Sequence, residues 1–133
     1  SEWVFQSGRV TGTQLVVDSM LQSLPGNRAQ LRAGDLDELL AAGSDVVLLD
    51  VRTAEEIAAT GAIDGAVNIP LDRLLEARDE WPAQDASIVV YDSDGYRGNL
   101  AMTVLRTFGY RDVRNLERGL TAWIEAGLPV VTD

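Results

Sequence analysis

The chain has 133 residues, 46% apolar and 24% charged, with 11 basic and 21 acidic side chains and a net charge of −10. It contains no histidine, no cysteine and no lysine, so every cation is an arginine. This excludes a disordered tail and a disulfide scaffold, a zinc site with nitrogen or sulfur ligands, Ser-His-Asp and Cys-His catalysis, and Schiff-base or P-loop lysines.

The length fits one domain able to bury about two-thirds of its unfolded surface. Residues 1–10 lack a pattern. Over 13–24, Leu15, Val16, Val17, Met20, Leu21 and Leu24 fall on one face of a helix stopped by Pro25-Gly26. Residues 1–28 are therefore read as an extension with one helix, and 29–133 as the domain proper. Asp35 to Ala42 is predicted helical, with Leu36, Leu39 and Leu40 on one side and Gly43 as the stop. Val46 to Leu49 reads as a strand buried on both faces. A short helix follows over 54–60, then a strand over 66–69 closed by Pro70.

Leu71 to Glu80 reads as an amphipathic helix carrying Leu71, Leu74 and Leu75, with Trp81 plugging its end. Ser87 to Tyr91 is a second buried strand. The spacing over 98–108 predicts a helix with Leu100, Ala101, Val104, Leu105 and Phe108 inward, ended by Gly109. A strand over 112–116 and a helix over 121–126 carrying a core Trp123 complete the pattern. Strands alternating with helices imply an α/β fold, a parallel sheet with helices on both faces. No internal repeat or interdomain linker is visible.

In such sheets, sites form beyond the carboxyl ends of the strands. Three strand ends carry polar residues here: Asp50-Val51-Arg52, Asn68, and the run Asp92-Ser93-Asp94-Gly95-Tyr96-Arg97-Gly98. The last joins a buried strand to a helix, so its backbone N–H groups are expected to converge as an anion cradle. Asp50 and Arg52 are expected to cap the next helix and brace the loop as an ion pair. Asn68 is expected to brace a turn.

Two families share this loop pattern. The string V-V-Y-D-S-D-G at 89–95 is similar to the Asp-x-Asp opening of haloacid-dehalogenase phosphatases, but Tyr96 stands where those have Thr or Ser, and only 39 residues follow Asp94. The rhodanese family is resembled over most of the chain. V-V-L-L-D-V-R-T-A-E-E-I at 46–57 looks like its Asp-Val-Arg strand and helix. G-A-I-D-G-A-V-N-I-P at 61–70 is similar to its Gly-His-Ile-Pro-Gly-Ala-x-Asn-Ile-Pro. S-I-V-V-Y-D-S-D-G-Y-R at 87–97 matches its strand and Cys-x-x-Gly-x-Arg loop. F-G-Y-R-D-V-R-N-L-E-R-G-L-T-A-W at 108–123 resembles its Gly-Tyr-x-x-Val-x-x-Leu-x-Gly-Gly-x-x-x-Trp. The resemblance implies a five-stranded parallel sheet flanked by helices, with sulfur transfer through a cysteine persulfide. The loop length matches the sulfurtransferases rather than related phosphatases.

The departures decide the functional expectation. Asp92 stands at the nucleophilic cysteine, Ala62 at the histidine, Asp64 at a proline and Arg118 at one glycine of the Gly-Gly pair. No catalytic residue is therefore assigned. Asp92, Ser93, Asp94, Gly95, Tyr96 and Arg97 form an active-site-like loop supported by Asp50, Arg52 and Asn68. The reading is an inactive rhodanese-like domain with a binding or regulatory role, or the silent part of a larger sulfurtransferase. The alternatives are an active parent enzyme in which Asp92 is a variant residue, and a carboxylate-based phosphatase using Asp92 and Asp94. No cofactor or metal is expected. A protein partner or neighbouring domain is expected, but not nucleic acid, which demands a basic surface. No stretch is long and apolar enough to insert in a membrane. The chain opens at Ser1 without a signal peptide pattern. That favours a cytoplasmic location and leaves room for a removed targeting segment.

Overall fold

The computed structural model describes residues 29–132. The elements are β1 (Gln30–Leu31), α1 (Ala33–Ala41), β2 (Val46–Asp50), α2 (Ala54–Thr60), β3 (Val67–Asn68), two 3₁₀ turns (Leu71–Arg73 and Arg78–Glu80), β4 (Ser87–Tyr91), α3 (Tyr96–Thr107), β5 (Val113–Leu116) and α4 (Gly119–Glu125). Five strands form one sheet in the order β1-β5-β4-β2-β3, and every pairing is parallel. This is the five-stranded parallel α/β architecture that the sequence resemblance implies. The predicted helix over 13–24 lies outside the described residues.

Parallel strands enclosed on both sides explain the unbroken apolar runs at 46–49 and 88–91. Along β4, Ile88 and Val90 face one layer while Val89 and Tyr91 face the other. The first layer is closed by Ala101, Met102 and Leu105 of α3 with Leu74 and Ala77. The second is closed by Leu36 of α1 and by Leu120 and Trp123 of α4. The register aligns Asp50 with Tyr91 and with Asn68. Strands β2, β3 and β4 therefore end level, and the segments that follow them converge at one edge.

Several expectations change. Residues 71–80 are not an α-helix. Leu71, Leu74 and Ala77 recur every three residues, the period of a 3₁₀ turn. Leu74 and Ala77 are buried, but Leu75 is left outside. The Trp81 indole donates to the Leu74 carbonyl at 2.9 Å, plugging this segment from its far end. Helix α3 begins at Tyr96, two residues earlier than the apolar pattern indicates. Its buried face is Gly98, Ala101, Met102 and Leu105, while Leu100 and Phe108 are exposed. Met102 and Leu100 are both apolar, and only the packing chooses between them. β1 has just two residues, too few for a pattern of alternation to show.

Candidate functional site

The loop after β4 turns back on the residue that begins it. Asp92 is fully buried, and both of its carboxylate oxygens are taken by backbone. Gly95 N–H donates to Oδ1 at 2.6 Å and Arg97 N–H to Oδ2 at 2.8 Å. These donors lie at the N-terminus of α3, where unpaired N–H groups and the helix dipole favour an anion. The cradle expected from the sequence is thus filled by the loop's own side chain. Burial pushes the Asp92 carboxyl above its ordinary range, the Arg97 and Gly95 amides pull it back, and neighbouring Asp94 raises it further. Asp94 is exposed and accepts from the Tyr96 N–H at 3.1 Å.

Above Asp92 lies Arg97, with Nε 3.6 Å from Oδ2. Its two terminal nitrogens donate in parallel to the oxygens of Glu56, each at 2.7 Å. Glu56 stands in the first turn of α2, where Thr53 and Glu56 cap each other reciprocally. The Ser93 hydroxyl also donates to Glu56, at 3.1 Å. One carboxylate therefore holds the start of α2, Ser93 and Arg97 together. The Arg97 guanidinium holds the Glu56 carboxyl well below the usual carboxylate range.

Asp50 and Arg52 form a fully buried pair. Arg52 Nη2 and Nε donate to Asp50 at 2.7–3.2 Å, and the remaining donors reach the Thr60 hydroxyl and the Gly61 carbonyl. Asp50 also accepts the Arg52 backbone N–H. The expected ion pair is present, but the expected cap is not: Thr53 caps α2, because Asp50 is committed to Arg52. The Asn68 amide donates to the carbonyls of Asp50 and Arg52, both at 2.9 Å, stitching β3 to the end of β2. The Tyr91 hydroxyl accepts the Ile63 N–H at 3.1 Å, and burial drives its pKa far above the ordinary phenol range.

The loop's other wall is the start of α4. Leu120 and Thr121 N–H donate to the carbonyls of Asp92 and Ser93 at 2.8 and 3.0 Å. A Cβ on Gly119 would strike the Asp92 carbonyl oxygen, so this position has to be glycine. Arg118, at the other glycine of the pair, still adopts the left-handed conformation with φ 60°. Its side chain extends outward to Glu125 at 3.0 Å. Beneath the loop, buried Asn115 donates to the Gly95 carbonyl at 3.3 Å and to Gln30 at 2.9 Å. Its Oδ1 lies over Gly98, where any side chain would collide with it.

The structure brings Asp92, Ser93, Gly95 and Arg97 around one point and places Asp50, Arg52 and Asn68 in the layer beside it. Tyr96 does not join them, being 80% exposed on the outer face of α3. Sequence reasoning missed Glu56 and Asn115. The Thr-x-x-Glu spacing at 53–56 was a visible capping signal, but nothing in it announces a partner 41 residues away. Among the described residues, no group of three acidic side chains is arranged to hold a metal. No helix there is long and apolar enough to cross a membrane.

The family profile described as Rhodanese-like domain matches residues 32–126, and the chain belongs to that family. A sulfurtransferase of Allochromatium vinosum is 36% identical over 102 residues, covering 77% of this chain and 94% of that protein. The human thiosulfate:glutathione sulfurtransferase is 36% identical over 104 residues, covering 68% and 89%. Among solved structures, a rhodanese-related protein of Thermoplasma volcanium superposes with a TM-score of 0.70 at 31% identity, covering 78% of this chain and 98% of that one.

Two substitutions test this construction. Arg52→Ala leaves a buried carboxylate without its cation and is expected to cost about 3–5 kcal/mol, read from the urea unfolding midpoint. Glu56→Gln breaks a part-exposed clamp and is expected to cost roughly 1 kcal/mol at neutral pH, after allowing for solvent screening. The folded-state pKa of Glu56 is depressed, so its stabilisation is complete above the ordinary value of 4.5 and fades as the pH falls through the folded one. Melting curves of the two proteins are therefore expected to converge in acid.

Proposed function

We propose that this chain is a non-catalytic rhodanese-like domain that serves in binding or regulation, alone or as the silent part of a larger sulfurtransferase. The observation that carries the reading is the Asp92 carboxylate, seated on the Gly95 and Arg97 amides where its family carries a cysteine. A persulfide needs a thiolate to accept sulfur, and this chain has no cysteine at any position. Sulfur transfer through a cysteine persulfide therefore has no acceptor in this chain.

The carboxylate also bars the site to outside anions. Each charge-assisted bond to it contributes about 1.5–3 kcal/mol, partly offset by desolvation. An incoming sulfate or thiosulfate would have to displace a tethered tenant and meet its charge. Arg97, the nearest cation, is already held by Glu56. Binding a protein partner or neighbouring domain, by contrast, needs no chemistry at this site.

The test compares the chain with its Asp92→Cys variant. The chain is expected to show no thiosulfate–cyanide turnover and to form no cyanolysable sulfur. Calorimetry is expected to show the variant binding sulfate at least tenfold more tightly, about 1.4 kcal/mol. Sulfur transfer by the original chain overturns the reading, and equal sulfate affinity in both proteins overturns the barring of the site by Asp92.

A further inference from the structure

The side-chain oxygen of buried Asn115 has no hydrogen-bond partner, which a protein interior rarely leaves without a reason. The amide nitrogen of the same side chain is used twice, by the Gly95 carbonyl and by Gln30 Oε1. The orientation of that amide therefore rests on two acceptors. Gln30 passes the contact on, its Nε2 donating to Asn99 Oδ1 at 2.7 Å. The Asn99 backbone N–H returns to the Gly95 carbonyl at 3.1 Å and closes a ring. A carbonyl oxygen can only accept, so Gly95 fixes which end of each amide faces its neighbour. Asn115 has to present nitrogen to Gly95, Gln30 oxygen to Asn115, and Asn99 oxygen to Gln30.

Gln30 brings β1 into this ring, and Gly95 is the residue whose N–H holds Asp92 Oδ1. We propose that Gln30 is a positioning residue through which β1 holds the 92–97 loop over Asp92, so that the loop loosens when β1 leaves the sheet. This role deepens the regulatory reading above and rests on it. β1 is a two-residue edge strand, paired among the described residues with β5 alone. Short edge segments open at lower free energy than the centre of a sheet. When Gln30 departs with β1, the Asn115 amide keeps one acceptor of two and is free to turn. The turn withdraws its donor from Gly95. The Gly95 carbonyl still accepts the Asn99 N–H, so α3 keeps its first turn while the loop ahead of it loses a tie.

The test is amide hydrogen exchange by NMR on the full chain. No anion or sulfur donor is added, so the outcome is independent of whether the chain transfers sulfur. The readouts are the Gly95 and Arg97 amides, which hold Asp92. The references are the Ile69 and Leu71 amides, bonded to the Asp50 and Val51 carbonyls at the opposite edge of the sheet. Gln30→Met keeps the side-chain length and removes both amide contacts. It is expected to speed exchange at Gly95 and Arg97 by about tenfold or more and to leave Ile69 and Leu71 within about twofold. Asn99→Ala spares the bond between Gln30 and Asn115 and is expected to change Gly95 by less than about threefold. An unchanged Gly95 rate in Gln30→Met overturns the proposal. So does equal acceleration of all four amides, which marks a general loss of stability, and so does an Asn99→Ala effect as large as that of Gln30→Met. A second measurement needs no variant. The Glu117 amide is bonded to the Leu31 carbonyl and reports the opening of β1 in the original chain. If β1 holds the loop, Gly95 is protected no better than Glu117. A Gly95 amide that outlasts Glu117 means that β1 leaves while the loop stays closed, and this too overturns the proposal.

Discussion

A carboxylate withdrawn from water has to be compensated by the groups around it, and the burial of Asp92 sets the terms for the whole site. Two amides at the start of α3 supply its hydrogen bonds, and the α3 dipole adds to them. That requires the backbone from 94 to 97 to turn tightly over the side chain. The turn holds because the carbonyls of Asp92 and Ser93 before it are tied to the start of α4 and that of Gly95 to Asn115. Gly119 and Gly98 are the places where those neighbours come too close for any side chain. The loop is held by its surroundings as much as by its own sequence.

Charge is arranged in two tiers around that loop. The inner tier is the Asp50–Arg52 pair, fully buried, with every bond to Asp50 matched by an arginine donor or a backbone amide. The outer tier is the Glu56–Arg97 clamp, one-third exposed and bidentate. The inner pair fixes the ends of β2 and α2, and Asn68 ties β3 to them. The outer clamp ties α2 to α3 across the loop. Arginine suits both tiers because its planar fork can satisfy two oxygens and still reach a third partner.

This arrangement separates the scaffold of a family site from its chemistry. The fold, the loop length, the glycines at 95 and 119 and the arginine at 97 match the rhodanese-like pattern. Arg118 shows how a departure is absorbed: it keeps the left-handed backbone of the glycine it replaces, at a cost of about 1–2 kcal/mol, and extends its side chain into solvent toward Glu125. Asp92 is the departure on which the proposed reading rests. It puts a carboxylate, seated on two backbone amides, where the resemblance implies a cysteine.

The sequence by itself determined what depends on neighbouring residues. The buried strands at 46–49 and 87–91 were legible because a fully enclosed parallel strand has no polar face. The cradle at 92–97 was legible because a strand, a glycine-bearing turn and a helix follow one another within a few residues. The absence of cysteine was legible without any structure. The tertiary structure decided what depends on distance along the chain. Glu56 and Arg97 are 41 residues apart, and only the level ends of β2 and β4 bring their helices together. It also decided which of several apolar side chains turn inward: Met102 over Leu100 on α3, and Leu74 over Leu75 in the 3₁₀ segment. Residues of similar hydrophobicity give a local pattern no means of choosing between them. The choice falls to the packing of the sheet beneath, where only one face of each turn finds a neighbour.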